Sequence, residues 1–198
     1  FVATRGTQSA PMDEFYVRIN EHIKEDRALL YKRQKELGFG PKVAIFCTTN
    51  NNESIIKEFV EENLKYVDEV FISDNLSTDH TMEIAEKAGA HVRQSGLIHT
   101  AEDYNEGKTK QEALDFALRE SDAEWMLYMD SDEILEPEFK DGLPELINNL
   151  QYDAWGFRLP TFWLDRTHVR TDGDFALYLN HPYQMRLFRR SAGIRMTI

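Results

Sequence analysis

The sheet of this protein can be located from one stretch, which reads Trp125-Met-Leu-Tyr-Met-Asp130-Ser-Asp132-Glu133-Ile-Leu135. Its apolar part has the length of a buried strand, yet it ends in three carboxylates. Carboxylates at the end of a buried strand are costly unless a cation offsets their charge. In an extended chain residues i and i+2 point to the same side, so Asp130 and Asp132 are expected to face one point. The pattern predicts a site for a divalent cation shared with a phosphate. An acidic loop that caps the next helix is the alternative.

Apolar runs and amphipathic patterns alternate on both sides of this stretch. Strands are predicted at 42–47, 69–73, 91–93 and from 125 onward, and helices at 54–66, 81–88, 107–121 and 138–150. This alternation indicates a parallel sheet with helices on its faces. Ligands of such sheets bind outside the carboxyl ends of the strands. Three predicted strands end in polar clusters, at 48–53, 74–79 and 130–133, and we expect these clusters to meet at one edge.

The pattern changes after residue 150. Strands are predicted at 154–159 and 184–189 with no helical crossover between them, so this part is expected to be antiparallel. The fold class is therefore α/β: a single domain with a mostly parallel central sheet flanked by helices, and a smaller antiparallel addition in the C-terminal third.

The chain divides into three expected parts. Residues 1–41 comprise a loosely held lead-in over 1–11 and a helix over 12–37, residues 42–150 form the α/β half, and residues 151–198 form the addition. Because the chain begins with Phe1 and ends just after a predicted strand, we expect it to be a fragment of a longer protein.

The net charge of the chain limits the classes of molecule that it is expected to bind. Twenty-three basic and 35 acidic residues give a net charge of −12, which argues against a general nucleic-acid or anionic-membrane binder. An acidic protein that binds a diphosphate needs a metal ion or a local cationic patch. The single cysteine, Cys47, lies in an apolar run and is expected to be a buried thiol. No stretch approaches the roughly 20 apolar residues of a membrane span, and we expect a cytoplasmic protein.

Three stretches in this order carry a family likeness. They are residues 43–53, residues 67–81 with Asp74-Asn-Leu-Ser-Thr-Asp79, and residues 124–135 with Asp130-Ser-Asp132. Their order and spacing resemble the inverting family 2 glycosyltransferases, which have the GT-A fold. The likeness covers about residues 42–150, a little over half of the chain.

The resemblance implies a role for each matching residue. Thr48, Asn50 and Glu53 would line the nucleotide pocket, and Asp74 would accept hydrogen bonds from the base, most naturally a uracil N–H. Asp130 would face the ribose and the metal, and Asp132 would bind the Mn²⁺ or Mg²⁺ that bridges the diphosphate. The phosphate contacts would come from Lys108 or Lys110, although solvated helix surface is the alternative for both lysines.

The chain also departs from the family pattern. Many relatives have Ala-Arg-Asn in the helix before the Asp-x-Asp strand, where this chain has Ala113, Leu114 and Asp115. A histidine often completes the metal shell in relatives. Here His168 and His181 are the candidates, and a surface position is the alternative for each.

The implied reaction moves a sugar from a nucleotide-diphosphate sugar, with UDP favoured as the nucleotide, to an acceptor hydroxyl with inversion. Such a reaction needs a base for the acceptor proton. Asp165, Asp172 and Asp174 are the candidates for this catalytic base, and Glu133 is less favoured because it adjoins the metal. Asp172 and Asp174 flank Gly173, although a plain turn would also explain this pair. A glycan, lipid or protein acceptor fits equally, and the oligomeric state is open.

Three other functions remain open at this stage. A haloacid-dehalogenase-type phosphatase also has an apolar strand that ends in Asp-x-Asp, but normally on the first strand of its domain. A nucleotidyltransferase would have a glycine-rich phosphate loop after the first strand, where this chain has Asn50-Asn-Asn52. A non-catalytic nucleotide- or sugar-binding module is the third alternative.

Overall fold

One eight-stranded sheet organises the computed structural model, which describes residues 2–5, 8–10, 41–96, 105–149, 151–157, 162–163, 165–169 and 184–196. In chain order the strands are β1 Val2–Arg5, β2 Gln8–Ala10, β3 Val43–Thr49, β4 Glu69–Asp74, β5 His91–Gln94, β6 Trp125–Tyr128, β7 Ala154–Phe157, β8 Phe162–Trp163, β9 Asp165–Val169 and β10 Gln184–Arg189. The order across the sheet is β2-β1-β7-β10-β6-β3-β4-β5, and β8 and β9 form a separate pair.

The parallel half of the sheet is confirmed. Strand β3 pairs in parallel with β4 and with β6, and β4 pairs in parallel with β5. The residues of β3 from Val43 to Cys47 are fully buried. A strand covered on both faces reads as a continuous apolar run, which is why this strand could be predicted.

Four helices connect the strands within the described residues: α1 Ile56–Asn63, α2 Thr81–Ala88, α3 Glu106–Glu120 and α4 Pro137–Asn148. Local signals set their ends. Helix α2 stops at Gly89, whose φ of 107° is a left-handed conformation that glycine adopts without strain. Helix α3 begins after Asn105, whose side chain accepts a hydrogen bond from the Lys108 amide at 2.8 Å. None of the helices in the described ranges is long and apolar enough to cross a membrane.

Each face of the sheet has its own core. Successive residues of a strand point to opposite faces, so Val43, Ile45 and Cys47 pack with α1 and α4, whereas Ala44 and Phe46 pack with α3. The prediction of a buried thiol at Cys47 is confirmed. Burial is also the main cause that raises the pKa of this thiol, so Cys47 stays a neutral core residue.

The predicted antiparallel addition is also confirmed. Strand β10 lies between β7 and β6 and is antiparallel to both. Its pairing with β7 shifts between Met185 and Leu187, which leaves Arg186 as the extra residue of a β-bulge. The bulge places Arg186 beside the end of β6, because Leu187 lies opposite Leu127.

The expectation of a loose lead-in over residues 1–11 is wrong. Strands β1 and β2 form an antiparallel hairpin, and β1 pairs with β7, with Ala3 opposite Trp155. Backbone hydrogen bonds to the edge of β7 hold this segment, and such bonds need no apolar alternation in the sequence. The helix predicted over residues 12–37 lies outside the described residues.

Candidate active site

The polar ends of three parallel strands meet at one edge of the sheet, as predicted. Asn52, after β3, connects two of them: its Nδ2 donates to Thr49 Oγ1 at 3.0 Å and to Ser131 Oγ at 2.6 Å, after β6. Asn50 connects the first loop to the end of β4, because its Nδ2 donates to the Asn75 carbonyl oxygen at 2.5 Å. The three loops therefore form one continuous polar surface.

The loops after β3 and β4 fix each other through side-chain bonds to backbone. Asn51 donates its amide to Ser77 Oγ at 2.7 Å, and its Oδ1 accepts from the Thr78 amide at 2.8 Å. Glu53, predicted to line the nucleotide pocket, is exposed, and its Oε2 accepts from the His80 amide at 3.0 Å. Glu53 thus holds the neighbouring loop in place.

Asp74 is buried at the end of β4, and both its oxygens are engaged. Oδ2 accepts from the Ser77 amide at 2.8 Å, and Oδ1 accepts from Ser77 Oγ at 2.5 Å. Ser77 thus already donates to both oxygens of this carboxylate. The predicted contact between Asp74 and a base stays a prediction. The side-chain oxygen of the next residue, Asn75 Oδ1, is buried and has no hydrogen-bond partner among the described residues. Thr48, the remaining predicted pocket residue of β3, is half-buried opposite Ser73.

Residues 130–133, here called the acidic turn, do not extend β6. The strand ends at Tyr128, and the Glu133 amide donates to the Asp130 carbonyl oxygen at 3.0 Å. In return, the Asp130 amide donates to Glu133 Oε2 at 2.8 Å. The expectation that Asp130 and Asp132 share one side of an extended chain is therefore wrong, because these reciprocal bonds close a turn. Asp130 is half-buried and Asp132 is exposed.

Arg186 is the counter-charge of the acidic turn, and sequence reasoning missed it. Its guanidinium contacts Glu133 twice, at 3.3 Å from Nη1 to Oε2 and 3.2 Å from Nη2 to Oε1, and Nη2 lies 3.4 Å from Asp130 Oδ2. Arg186 is only 5% exposed. The available signal was an arginine between the apolar residues Met185 and Leu187 of β10, because a buried charge requires a partner.

Burial changes the proton affinity of two groups here. It raises the pKa of Glu133 to about 7, against the opposing effects of Arg186 and of the Asp130 amide. Burial, followed by the hydrogen bond to Asp130, also raises the pKa of Tyr128. The Tyr128 phenol therefore stays protonated at neutral pH and donates a hydrogen bond to Asp130 Oδ1.

The two lysines proposed for phosphate contacts differ in position. Lys110 Nζ lies 4.5 Å from the centroid of the Tyr128 ring, beside the acidic turn, and also pairs with Glu106. Lys108 is exposed in the first turn of α3. Ala113 and Leu114, which stand where relatives have Ala-Arg, are fully buried in the core. Lys110, and not Lys108, is therefore the lysine of α3 that lies beside the acidic turn, about one helical turn before Leu114.

Residues 44–196 match the model of glycosyl transferase family 2, which is most of the chain. The chain belongs to this family. The GT-A-like fold expected from the resemblance is likewise confirmed, since the family match covers the parallel strands and the antiparallel β7 and β10 of the sheet described above and leaves out only β1, β2 and Val43.

The relatives of this family 2 chain include uncharacterized glycosyltransferases of Rickettsia species. It is 29% identical over 114 residues to an uncharacterized glycosyltransferase of Rickettsia felis, a match that covers 58% of this chain and 37% of the relative. The match thus spans little over a third of that protein's length.

Two solved structures are similar in fold. Mannosyl-3-phosphoglycerate synthase from Rubrobacter xylanophilus is 22% identical with a TM-score of 0.48, over 66% of this chain and 43% of that one. Glucosyl-3-phosphoglycerate synthase from Mycobacterium tuberculosis, in complex with Mg²⁺ and UDP, is 24% identical with a TM-score of 0.46, over 65% and 46% of the two chains.

The catalytic base and the histidine ligand expected for this family 2 chain stay predictions. Asp172, Asp174 and His181 lie outside the described residues, whereas Asp165 and His168 lie in β9, in the separate two-stranded sheet. No group of three His, Cys, Asp or Glu side chains that could hold a metal ion occurs in the described part of the chain.

Proposed function

We propose that this chain is the catalytic region of an inverting glycosyltransferase that moves a sugar from a UDP-linked donor to an acceptor hydroxyl with the help of a divalent cation. One observation carries the proposal: in a family 2 chain, Asn52 joins the loop after β3 to the acidic turn through Ser131. The strand ends thereby form a single polar surface at the edge where parallel sheets bind ligands.

The donor belongs to residues 42–150 in this proposal. Thr48 and Asn50 lie along the first loop, and Asp74 with Asn75 occupies the next strand end. The unpaired Asn75 Oδ1 suits a base N–H, because a buried acceptor without a partner is costly. Lys110 is the better candidate for a phosphate than Lys108, since Lys110 lies over Tyr128 next to the acidic turn.

The residues present fit Mn²⁺ or Mg²⁺. Asp132 is exposed and Asp130 is half-buried, which gives two carboxylates of the type that bind Mg²⁺ together with substrate phosphates. Glu133 is committed to Arg186 and to the Asp130 amide, so it is not a ligand in this proposal. When bound, the cation would offset the charge that develops on the leaving diphosphate.

The acceptor side belongs to residues 151–198. Asp172 or Asp174 would take the proton of the acceptor hydroxyl, on the face opposite the leaving group, as inversion requires. The acceptor is a glycan, a lipid or a protein, and the protein is expected in the cytoplasm.

The test is a panel of nucleotides and nucleotide sugars with Mn²⁺, Mg²⁺ or EDTA. We expect UDP to raise the melting temperature only when a divalent cation is present, and one UDP-sugar to be hydrolysed slowly without an acceptor. If no nucleotide shifts the melting temperature with metal present, the proposal fails. Hydrolysis of a generic phosphate ester that is lost in Asp130→Asn would instead favour the phosphatase.

A further inference from the structure

We propose that Arg186 is a positioning residue of the acidic turn: it holds Asp130 and Glu133 and offsets their charge, so that a divalent cation binds there strongly only together with a diphosphate. This inference rests on the function proposed above. It concerns the order in which the cation and the nucleotide bind.

The bulge in β10 gives Arg186 its position. Met185 lies opposite Gly156 and Leu187 lies opposite Trp155, so Arg186 has no partner on β7. Bulges redirect a side chain out of the regular alternation of a strand and are common next to active sites. The redirected guanidinium lies 4.8 Å from the centroid of the Tyr128 ring. Since Tyr128 is the last residue of β6, the guanidinium is next to the acidic turn.

The environment of the guanidinium is built to hold it. Its Nη2 donates to Gln184 Oε1 at 2.8 Å, on the same strand, and contacts Glu133 Oε1 and Asp130 Oδ2. The side chain of Arg186 is 7% exposed and that of Glu133 is 22% exposed. A buried charge with several partners of fixed geometry differs from a surface ion pair, whose partners move freely in water.

The position of Arg186 affects any cation at the same carboxylates. A divalent ion on Asp130 would lie within a few ångströms of the guanidinium, and the two positive charges repel each other. Asp132 is exposed, so water and salt screen its charge more than they screen the buried guanidinium. A diphosphate brings further negative charge and further oxygen ligands, and Mg²⁺ sites commonly combine one or two carboxylates with substrate phosphates.

The experiment measures Mn²⁺ affinity of the full chain by titration calorimetry, with Mn²⁺ alone and with saturating UDP. The main comparison is between Glu133→Gln and the double variant Arg186→Met with Glu133→Gln. In that background the removal of Arg186 leaves no unpaired buried Glu133, so folding is preserved. Arg186→Lys and Arg189→Lys complete the set, because Arg189 lies on the same strand but pairs with Asp153.

We expect loss of Arg186 to strengthen binding of Mn²⁺ alone by about tenfold, because an opposite or like charge within 4–6 Å shifts an ionic equilibrium by one to three powers of ten. In the same variant UDP should enhance Mn²⁺ binding less than it does with Arg186 present. Arg186→Lys should fall between, and Arg189→Lys should match wild type.

Opposite signs separate this role from a purely structural one. If loss of Arg186 weakens Mn²⁺ binding both with and without UDP, or changes neither, the inference is overturned while the proposed function stands. If the wild-type chain binds Mn²⁺ no better with UDP than without it, the proposed function and the inference both fail.

Discussion

Asp74 and the acidic turn both place carboxylates at the carboxyl ends of neighbouring parallel strands, but they are stabilised differently. Asp74 is satisfied three residues away, by the amide and hydroxyl of Ser77. The acidic turn relies on Arg186, which is 56 residues from Asp130 along the chain. The partner of Asp74 is uncharged and close in sequence, whereas the partner of the acidic turn is charged and distant in sequence. Similar acidic strand ends can therefore depend differently on pH, on cations and on the rest of the fold.

Removal of the remote partner should have the largest effect. At pH 8, above the pKa of about 7 that burial gives Glu133, Arg186→Met leaves this buried carboxylate without its cation, and we expect the free energy of unfolding to fall by about 3–5 kcal/mol. Urea denaturation measures this. Lys42→Met is the control: the side chains of Lys42 and of its partner Asp122 are 50% and 76% exposed, so its loss should be clearly smaller. Equal losses in the two variants would remove the contrast between a buried and an exposed pair.

The acidic turn should also make stability depend on pH. The pKa of Glu133 is raised from 4.5 to about 7 in the folded protein, so between these values the folded state holds a proton that the unfolded state has lost. The free energy of unfolding should therefore fall as pH rises from about 4.5 to 7, by at most about 3 kcal/mol from this group. Denaturation at several pH values in EDTA should show this slope in wild type and not in Glu133→Gln.

Ligand-linked stability should depend on Asp132. At a concentration of UDP and Mn²⁺ near 100 times the dissociation constant, binding stabilises a protein by about 2.7 kcal/mol. We expect Asp132→Ala to abolish this gain and to leave the unliganded melting temperature unchanged, because Asp132 is exposed. The exposed Glu120→Ala is the control. A full UDP-dependent shift in Asp132→Ala would remove Asp132 from the cation site.

The local compensation should cost less to remove. Ser77→Ala deletes the hydroxyl that donates to Asp74 but keeps the amide, so we expect a loss of about 1–2 kcal/mol in the free energy of unfolding. Thr78→Ala serves as the neighbouring control, since Thr78 is exposed. A loss as large as that of Arg186→Met would show that the two strand ends are equally demanding.

The smallest effect concerns Leu76, between Asp74 and Ser77. Leu76 has a φ of 61°, a left-handed conformation that is unfavourable for a bulky side chain, and it is 38% exposed. Leu76→Gly should remove this strain and raise the free energy of unfolding by up to about 1 kcal/mol. Differential scanning calorimetry can detect it. A stability loss would mean that the Leu76 side chain makes contacts that outweigh its backbone strain.

Local signals explain which parts of the fold could be predicted. Helix α2 could be predicted because Gly89 ends it within its own sequence. Strand β3 could be predicted because its apolar run is short and lies between Pro41 and a polar turn, as in a strand covered on both faces. The hairpin of β1 and β2 could not be predicted, since backbone bonds to β7 hold it.

The site shows the same limit. Asn50, Glu53, Asp74 and Asp130 were brought to one edge by the order of the strands, which the sequence pattern contains. The shape of the acidic turn was predicted incorrectly because it depends on the reciprocal bonds between Asp130 and Glu133. Arg186 was missed because its role depends on a bulge and on a strand pairing distant in sequence.

The central place of β10 has a consequence for folding. Strand β10 follows β6 and β7 in the chain, yet it lies between them in the sheet. Until residues 184–189 have been synthesised, β6 and β7 each have an unpaired edge, and unpaired edges invite pairing with other chains. A truncation before Gln184 would therefore remove the Arg186 guanidinium from the acidic turn. It would also leave β6 and β7 with unpaired edges, so we expect such fragments to aggregate rather than to serve as minimal donor-binding domains.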